Sequence, residues 1–386
     1  MVIISRAIDR RDAELETGAE AQTGIGTGTE TAGRHAMPRR LLLLLAAVIA
    51  MVAATVLALR IPALKHPLQD RLLERGIAAA LQAEVSRPPE GGMRVFMCGT
   101  SSPLPSPDRA QACVAIQVDD RLFLVDAGAG SPNVAALGNL PLDRLQAIFI
   151  THFHSDHIAA IGDFNLMSWV AGRSQQLEIV GPEGVEQVVD GFNRVYALDR
   201  GYRVAHHGRE LIPPALHELQ ARTIDPGIVL DADGLVVRAF TVNHHPVAPA
   251  VGYRFEYAGR AVAITGDTIV TEGLREAVRG VDLLLSDALS LPIVRTMERA
   301  AAAAGRPRQE RIFLDIQDYH ASTASLVDFA RDAGVDRLAL YHLVPAPRNA
   351  VMTDVFRRGL PDDVLLTDDG MTLDLPAGSR ELRIGH

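Results

Sequence analysis

The stretch His152-Phe153-His154-Ser155-Asp156-His157 decides how this chain is interpreted. It follows directly on the apolar run 145–150 and offers three imidazoles and one carboxylate, which are ligands that divalent metals such as zinc accept. If the apolar run is a buried strand, His152 and His154 point to one side, and Asp156 and His157 follow in the turn. The pattern therefore predicts two neighbouring metal ions. The alternative is a loop of histidines that binds nothing.

The composition is that of an ordinary globular protein. The chain has 386 residues, 48% of them hydrophobic and 22% charged, which is enough apolar content for one large domain or two smaller ones. Its net charge of -9 argues against a protein that binds nucleic acid through its overall field, although a local basic groove would be compatible with it. The two cysteines, Cys98 and Cys113, exclude a Cys-rich zinc site. They form either one disulfide or two buried thiols.

The N-terminal region predicts a membrane segment. Residues 1–36 are rich in Gly, Thr, Glu and Ala and are expected to form a disordered tail, or to precede a true start at Met37. Every residue from 41 to 59 is apolar except Thr55, which predicts a transmembrane anchor or export signal over 37–60. We therefore expect the rest of the chain outside the cytoplasm, either anchored with a periplasmic catalytic domain or secreted after cleavage.

The remainder divides into a linker and a catalytic domain. Residues 61–92 are expected to form a juxtamembrane linker with a short helix at 69–83, and residues 93–386 the folded domain. Strands and helices are expected to alternate there, which predicts sheets covered by helices. The predicted strands are 93–98, 113–118, 122–125, 145–150, 177–180, 235–242, 251–257, 261–265, 282–285 and 337–341, and helices are predicted at 295–304 and 323–333.

Further metal-ligand residues follow three of these strands. His244 and His245 come after the strand that ends near 242, Asp267 after the next strand but one, and His342 after the strand that ends at 341. Loops that leave a rigid sheet can converge on one site. Each residue alone is weak evidence, but their joint occurrence downstream of the six-residue motif supports a metal centre.

With these motifs the chain resembles the metallo-β-lactamase superfamily, and within it the ribonuclease Z and arylsulfatase-like branch. The resemblance covers residues 93 to about 376 and implies an α/β fold, a four-layer αββα sandwich, here with an N-terminal transmembrane or signal helix. The motifs that carry it are Gly99-Thr100-Ser101-Ser102-Pro103, Asp126-Ala127-Gly128, His152 to His157, Gly252-Tyr253-Arg254, Gly266-Asp267-Thr268, His320-Ala321-Ser322-Thr323 and Tyr341-His342.

The resemblance also implies a ligand set for two zinc ions, with manganese or iron as alternatives. One ion is assigned to His152, His154 and His244, with His245 as the alternative to His244. The second ion is assigned to Asp156, His157 and His342, and Asp267 is assigned to both ions.

The implied chemistry is ester hydrolysis by attack of a metal-bridging hydroxide. Asp156 is expected to orient this nucleophile. His320 is expected to protonate the leaving group with the help of Asp287, although relatives carry His-Glu where this chain has Ser286-Asp287. The alternative role for His320 is to cap the helix that follows it.

The expected substrate is a small phosphodiester, sulfate ester or related ester. Ribonuclease Z carries a long arm between the Gly-Tyr-Arg and Gly-Asp-Thr motifs, whereas residues 255–260 predict a simple hairpin here. Nucleic acid is therefore not expected as a partner, whereas a membrane contact through the N-terminal helix is expected, and a homodimer is compatible with the sequence. The alternatives are a tRNA 3′-processing endonuclease and a non-catalytic, membrane-tethered protein that binds a metal or ligand.

Overall fold

The structure is a computed structural model that describes residues 39–58 and 60–385. The tail predicted at residues 1–36 lies outside these residues. The chain divides into two units between Gln82 and Ala83, and each unit is described by itself.

The described residues of the first unit form two helices, α1 (Arg39–Ala58) and α2 (Pro62–Leu81). By length and composition α1 could cross a bilayer, but a signal sequence would pass the same test. The transmembrane or signal segment at 37–60 therefore stays a prediction. α2 begins earlier than the helix predicted at 69–83 and ends at Leu81. Pro62 stands in its first turn, where a missing N–H costs no helical hydrogen bond, and the helix continues through Pro67.

The second unit is built on fifteen strands. They are β1 (Met93–Gly99), β2 (Cys113–Val118), β3 (Arg121–Val125), β4 (Leu145–Phe149), β5 (Glu178–Gly181), β6 (Gln220–Thr223), β7 (Gly227–Ala232), β8 (Leu235–Thr241), β9 (Val251–Tyr257), β10 (Arg260–Ile264), β11 (Leu283–Leu289), β12 (Arg337–Val344), β13 (Leu365–Leu366), β14 (Thr372–Leu375) and β15 (Arg383–Gly385).

Ten α-helices and two short 3-10 helices, Leu142–Arg144 and Pro214–His217, connect these strands. The α-helices are α3 (Ser131–Leu137), α4 (Ser155–Ile158), α5 (Ile161–Val170), α6 (Val185–Val195), α7 (Ala197–His207), α8 (Glu272–Ala277), α9 (Leu291–Ala303), α10 (Pro307–Asp315), α11 (Thr323–Asp332) and α12 (Ala350–Arg357).

The strands form two sheets that pack face to face. Their orders are β15-β14-β1-β2-β3-β4-β5-β6 and β13-β12-β11-β10-β9-β8-β7. Both sheets contribute to one apolar cluster, in which the ring of Phe149 lies 5.2 Å from that of Tyr253 and 5.6 Å from that of Phe255. α3, α5 and α6 pack on the outer side of the first sheet, and α8, α11 and α12 on that of the second. The predicted α/β fold is confirmed, and its layers are consistent with an αββα sandwich.

The strand ends that carry the candidate ligands meet at one edge of the two sheets. Val251 N donates to Thr151 O at 3.0 Å, and the Tyr253 hydroxyl donates to Ile150 O at 2.8 Å. These bonds tie the end of β4 in the first sheet to β9 in the second. β10, β11 and β12 run parallel, so their C-terminal ends lie at the same edge.

A disulfide joins β1 to β2. Cys98 and Cys113 are fully buried on these neighbouring strands, with their Cα atoms 5.0 Å apart. Of the two arrangements that the sequence left open, the structure has the disulfide.

Candidate metal centre

Three imidazoles converge on the outer side of the site. His152 follows β4 and is fully buried, and its Nε2 lies 3.0 Å from His154 Nδ1. His244 follows β8, is also buried, and places its Nε2 3.4 Å from the same His154 nitrogen. His154 itself is exposed to solvent. Of the two histidines in the 243–246 segment, His244 joins this group, whereas His245 is exposed and lies outside it.

A second group lies deeper. Asp156 and His157 belong to the short helix α4, and Asp156 Oδ2 lies 3.6 Å from His157 Nε2 and 3.0 Å from His342 Nε2. All three side chains are buried. His342 is the extra residue of a bulge, since its neighbours Tyr341 and Leu343 pair with the consecutive residues Asp287 and Ala288 of β11. Its φ of 42° lies in the left-handed region, and such a bulge redirects a side chain that a regular strand would send elsewhere.

Asp267 presents one carboxylate oxygen to each group. Its Oδ1 lies 3.3 Å from His342 Nδ1 and 3.5 Å from His157 Nε2. Its Oδ2 lies 3.7 Å from His244 Nε2 and 3.9 Å from His152 Nε2. The geometry therefore brings all seven residues assigned to metal binding together, with Asp267 between the two groups.

Gly266 allows this close approach. It has a φ of 63°, which a glycine adopts without strain, and a Cβ built on it would lie 2.8 Å from Thr151 Cβ. Thr151 follows β4 and Gly266 follows β10, so the two sheets come into contact through these two residues. Any larger residue in place of Gly266 would push apart the segments that carry His152 and Asp267.

Neighbouring groups fix which ring nitrogens face the site. His157 Nδ1 donates to Asp126 Oδ2 at 2.8 Å, and His244 Nδ1 donates to the Tyr319 carbonyl oxygen at 3.0 Å. These bonds leave both Nε2 atoms directed towards the other ligands, which is the usual arrangement around metal-binding histidines. Neither Asp126 nor Tyr319 was predicted as a site residue. For Asp126 there was a signal, since it opens the Asp126-Ala127-Gly128 motif directly after β3.

Unsatisfied buried atoms test whether these residues suit a cation. His157 Nε2, Asp267 Oδ1 and His342 Nδ1 are buried and have no hydrogen-bond partner among the residues that the structure describes. Buried polar atoms without partners are costly, and here they share one small volume with further nitrogen and oxygen donors. A set of imidazoles and carboxylates at this spacing fits divalent metal ions.

Electrostatics support the same interpretation. Burial lowers the pKa of His244 to about 4 and that of His152 well below its usual value, so both rings are neutral and can act as ligands. The pKa of His157 is raised although burial opposes this, because Asp267, Asp126 and Asp156 surround the ring. The buried carboxylates therefore require a positive charge, which a proton on His157 or a bound cation can supply.

His320 and Asp287 form a pair beside this centre. His320 Nδ1 lies 2.9 Å from Asp287 Oδ2, and both side chains are buried. The Asp side chain is thus long enough to reach the ring. Burial raises the pKa of Asp287 to about 6, so its carboxylate is mostly ionised at neutral pH. The helix after His320 is capped by Ser322, whose hydroxyl accepts from Ser325 N, and not by His320.

A cavity of about 260 Å³ opens next to the centre. His154, Asp156, Asp267 and His320 form its polar side. Its apolar side consists of Pro103, Leu104, Ile312, Ile316, Tyr319 and Val344.

Comparisons with known proteins agree with this fold. The sequence matches the family described as Beta-lactamase superfamily domain over residues 121–343. It is 34% identical to ribonuclease Z of Mycobacterium marinum over 257 residues and 36% identical to ribonuclease Z of Mycobacterium bovis over 259 residues. Each match covers 66% of this chain and 87% of the relative. The crystal structure of the short form of human tRNase Z has the same fold, with a TM-score of 0.52 and 21% identity over 73% of this chain and 99% of that one.

These relatives correct one expectation from the sequence. The expectation that nucleic acid is not a partner is wrong, because chains similar over 87% of their own length are ribonucleases. Net charge describes the whole chain and does not exclude a local basic surface.

Fold, ligand geometry and similarity lead to one conclusion, and the resemblance seen in the sequence is confirmed. The chain belongs to the metallo-β-lactamase superfamily, as a hydrolase of that fold whose curated relatives are ribonucleases Z.

Proposed function

We propose that this chain is a metal-dependent phosphodiesterase that cleaves RNA, with the 3′ processing of precursor tRNA as its reaction. The similarity to ribonucleases Z supports the substrate class. The position of Asp267 is the observation that supports metal-dependent catalysis. One of its carboxylate oxygens faces the group that contains His342, and the other faces the group that contains His244. A phosphodiesterase of this kind needs two cations held close together, and a shared carboxylate provides that spacing.

The residues suit two divalent ions, for which we propose zinc. His152, His154 and His244 would hold one ion, Asp156, His157 and His342 the other, and Asp267 both. Bound there, the metals would supply Lewis acidity towards the phosphate and a water of lowered pKa. Nitrogen and oxygen ligands are also compatible with manganese or iron, so metal analysis of the purified protein is required.

The side chains of this chain contribute positioning and proton transfer. Asp156 lies at the cavity, where its carboxylate can orient the attacking water and accept its proton. Asp287 accepts the hydrogen bond of His320 Nδ1–H. Nε2 is therefore the ring nitrogen whose proton can pass to the leaving oxygen. The apolar residues of the cavity exclude bulk water from this exchange.

The proposal is tested by the cleavage of precursor tRNA. Wild type, stripped of metal and reloaded with zinc or manganese, is expected to cut the precursor at its 3′ side, and Asp267→Asn to abolish cleavage and lower the metal content. Asp282→Asn is the matched control, since Asp282 is a partly buried carboxylate paired with Arg260 at 3.0 Å outside the metal centre. Metal-loaded wild type without nuclease activity would contradict the proposal.

A second candidate is the hydrolysis of a small phosphodiester or sulfate ester. It is favoured by the size of the cavity, about 260 Å³, and by the two-residue turn Ala258-Gly259 between β9 and β10, which offers no extended arm. Comparing kcat/KM for precursor tRNA, bis(p-nitrophenyl) phosphate and p-nitrophenyl sulfate separates the two candidates. A non-catalytic binding protein would bind metal and turn over none of them.

We also propose that the N-terminal segment anchors the enzyme to the membrane. A catalytic domain outside the cytoplasm goes with the second candidate, the small ester, because precursor tRNA lies inside the cell. The length and apolar character of α1 support anchoring, and the buried Cys98–Cys113 disulfide supports an oxidising compartment. Fractionation of cells with protease treatment of the outer face tests this. A soluble protein with reduced cysteines in the cytosol would overturn it.

A further inference from the structure

A helical hairpin forms one wall of the cavity. α9 and α10 are joined by the turn Ala304-Gly305-Arg306, in which Gly305 has a φ of 64° and Arg306 N donates to Ala301 O at 2.9 Å. Ile312 of α10 and Ile316, which directly follows this helix, line the cavity next to the metal centre. We call residues 291–315 the cavity hairpin. The C-terminal end of α10 lies at the cavity, and the turn lies at the opposite, N-terminal end of this helix.

The cavity hairpin is basic although the chain is acidic. It carries five arginines against three acidic residues, whereas the net charge of the whole chain is -9. All five arginines are exposed. The arginines are Arg295, Arg299, Arg306, Arg308 and Arg311.

The two arginines near the turn are available to a ligand. Among the residues that the structure describes, no carboxylate oxygen lies within 4.0 Å of the guanidinium group of Arg306 or Arg308, whereas Arg311 pairs with Asp315 at 2.8 Å. An exposed guanidinium without a carboxylate can make bidentate contacts with a phosphate.

The periodicity of α10 connects Arg308 to the cavity, and Arg306 lies at the N-cap of the same helix. Arg308, Ile312 and Ile316 are spaced four residues apart and therefore lie along one helix face. Because an α-helix rises about 1.5 Å per residue, Arg308 lies roughly 6 Å from Ile312 and roughly 12 Å from Ile316 along the axis. One end of this helix face therefore lies at the apolar cavity, and the other end carries the guanidinium group of Arg308.

Such an arrangement fits a polyanion that extends beyond the reacting phosphate. A small ester would end within the cavity and would not reach Arg308. An RNA chain with its scissile phosphate at the metal centre has further phosphates at regular spacing, and arginines contact these without regard to sequence. The turn between β9 and β10 has only two residues and offers no extended arm for these contacts.

We propose that the cavity hairpin binds the phosphate backbone of the RNA substrate, with Arg306 and Arg308 as its main contacts. This rests on the proposed nuclease function and adds to it the element that holds the RNA. The hairpin contributes to substrate affinity, and the metal centre carries out hydrolysis.

The test uses the full chain in detergent with Arg306→Glu and Arg308→Glu combined. Binding of precursor tRNA to metal-free protein is followed by fluorescence anisotropy over a range of salt concentrations, and cleavage by the metal-loaded protein is measured in parallel. The variant is expected to weaken RNA binding on the order of tenfold and to lower the slope of log K against log salt by about 1 to 2. kcat/KM for bis(p-nitrophenyl) phosphate should be unchanged, because that diester has a single phosphate and no further phosphate that could contact Arg306 or Arg308.

Control variants and competitors separate the possible outcomes. Arg358→Glu combined with Arg380→Glu reverses two exposed arginines outside the hairpin and should leave RNA binding nearly unchanged. If wild type cleaves RNA and the hairpin variant binds it equally well, the hairpin proposal fails and the nuclease function stands. If wild type neither binds nor cleaves RNA but hydrolyses the small diester, both proposals fail. The lipid alternative is tested with short-chain phosphatidylglycerol. If the hairpin variant binds this lipid more weakly than wild type but binds RNA equally well, the hairpin is a lipid-binding element and the proposal is overturned.

Discussion

Replacing Asp126 with Asn should weaken metal binding although Asp126 is not a proposed ligand. Its buried carboxylate accepts from Thr151 N at 2.8 Å and from His157 Nδ1 at 2.8 Å. An asparagine can keep the first bond through its oxygen, but its NH2 group then faces the His157 Nδ1–H. To avoid this clash of two donors, the His157 proton must move to Nε2, which is the nitrogen directed at the metal centre.

The size of this effect follows from the role of such neighbouring groups. Loss of the partner that orients a metal-binding histidine lowers affinity about 10- to 100-fold, which corresponds to roughly 1.4–2.7 kcal/mol. The loss should concern mainly the ion held by Asp156, His157 and His342. Asp126→Ala should also lower the stability of the protein, because it leaves the buried Thr151 N–H without an acceptor. The expected loss in the free energy of unfolding is about 1–3 kcal/mol.

The assay is zinc titration against a chromophoric chelator, with thermal unfolding of the metal-free protein measured alongside. Asp374→Asn is the control, since Asp374 pairs with Arg94 at 2.7 Å and makes no contact with the ligands. It is expected to change stability slightly and metal affinity not at all. If Asp126→Asn binds two ions as tightly as wild type, the inference that Asp126 orients His157 is refuted.

Three further predictions concern proton transfer, the disulfide and pH. His320→Ala should lower kcat about 10²- to 10⁴-fold for diesters with an alkoxide leaving group. The loss should be far smaller for p-nitrophenyl diesters, because p-nitrophenolate departs without a proton. Equal losses of kcat for both substrates in steady-state assays would contradict the role of His320 as an acid. Cys98→Ala with Cys113→Ala should lower the free energy of unfolding in urea by about 3 kcal/mol, as expected for a loop of 15 residues, and wild type in reductant should behave alike; an unchanged midpoint would argue against the disulfide. Neither ring nitrogen of the buried His217 has a hydrogen-bond partner in the described part of the chain, and burial lowers its pKa to about 4, so the unfolded chain takes up a proton between pH 6.5 and 4 that the folded chain does not. Stability should therefore fall as pH falls through this window, by about 2–3 kcal/mol near pH 4.5, and His217→Leu should remove this part of the pH dependence of unfolding.

Apolar runs predicted much of the fold. Each of the ten predicted strands is present, because their buried residues produce a pattern that is visible in the sequence. Five strands were not predicted. β6 is polar and partly exposed, β7 is apolar in part but has no buried residue, and β13, β14 and β15 have only two to four residues each. Their pairing depends on neighbouring strands and leaves little trace in their own residues.

The site was predictable where residue type carries the chemistry. Histidine and aspartate after strand ends pointed to the ligand groups, but adjacent His244 and His245 could be separated only by the path of the loop. The Tyr319 contact was not predictable, because it is made by a backbone carbonyl, which every residue has. The bulge that turns His342 into the site depends on the register between β11 and β12 and was likewise invisible.

The contact between Gly266 and Thr151 makes the site sensitive to the hydrophobic core. These two residues set the spacing between the ends of the sheets, and the same spacing separates the metal ligands contributed by each sheet. A core substitution between the sheets, for instance at Phe149 or Tyr253, could leave the protein folded while moving Asp267 by a few tenths of an ångström relative to His152. Changes in core volume that are too small to unfold the protein should therefore already reduce its activity.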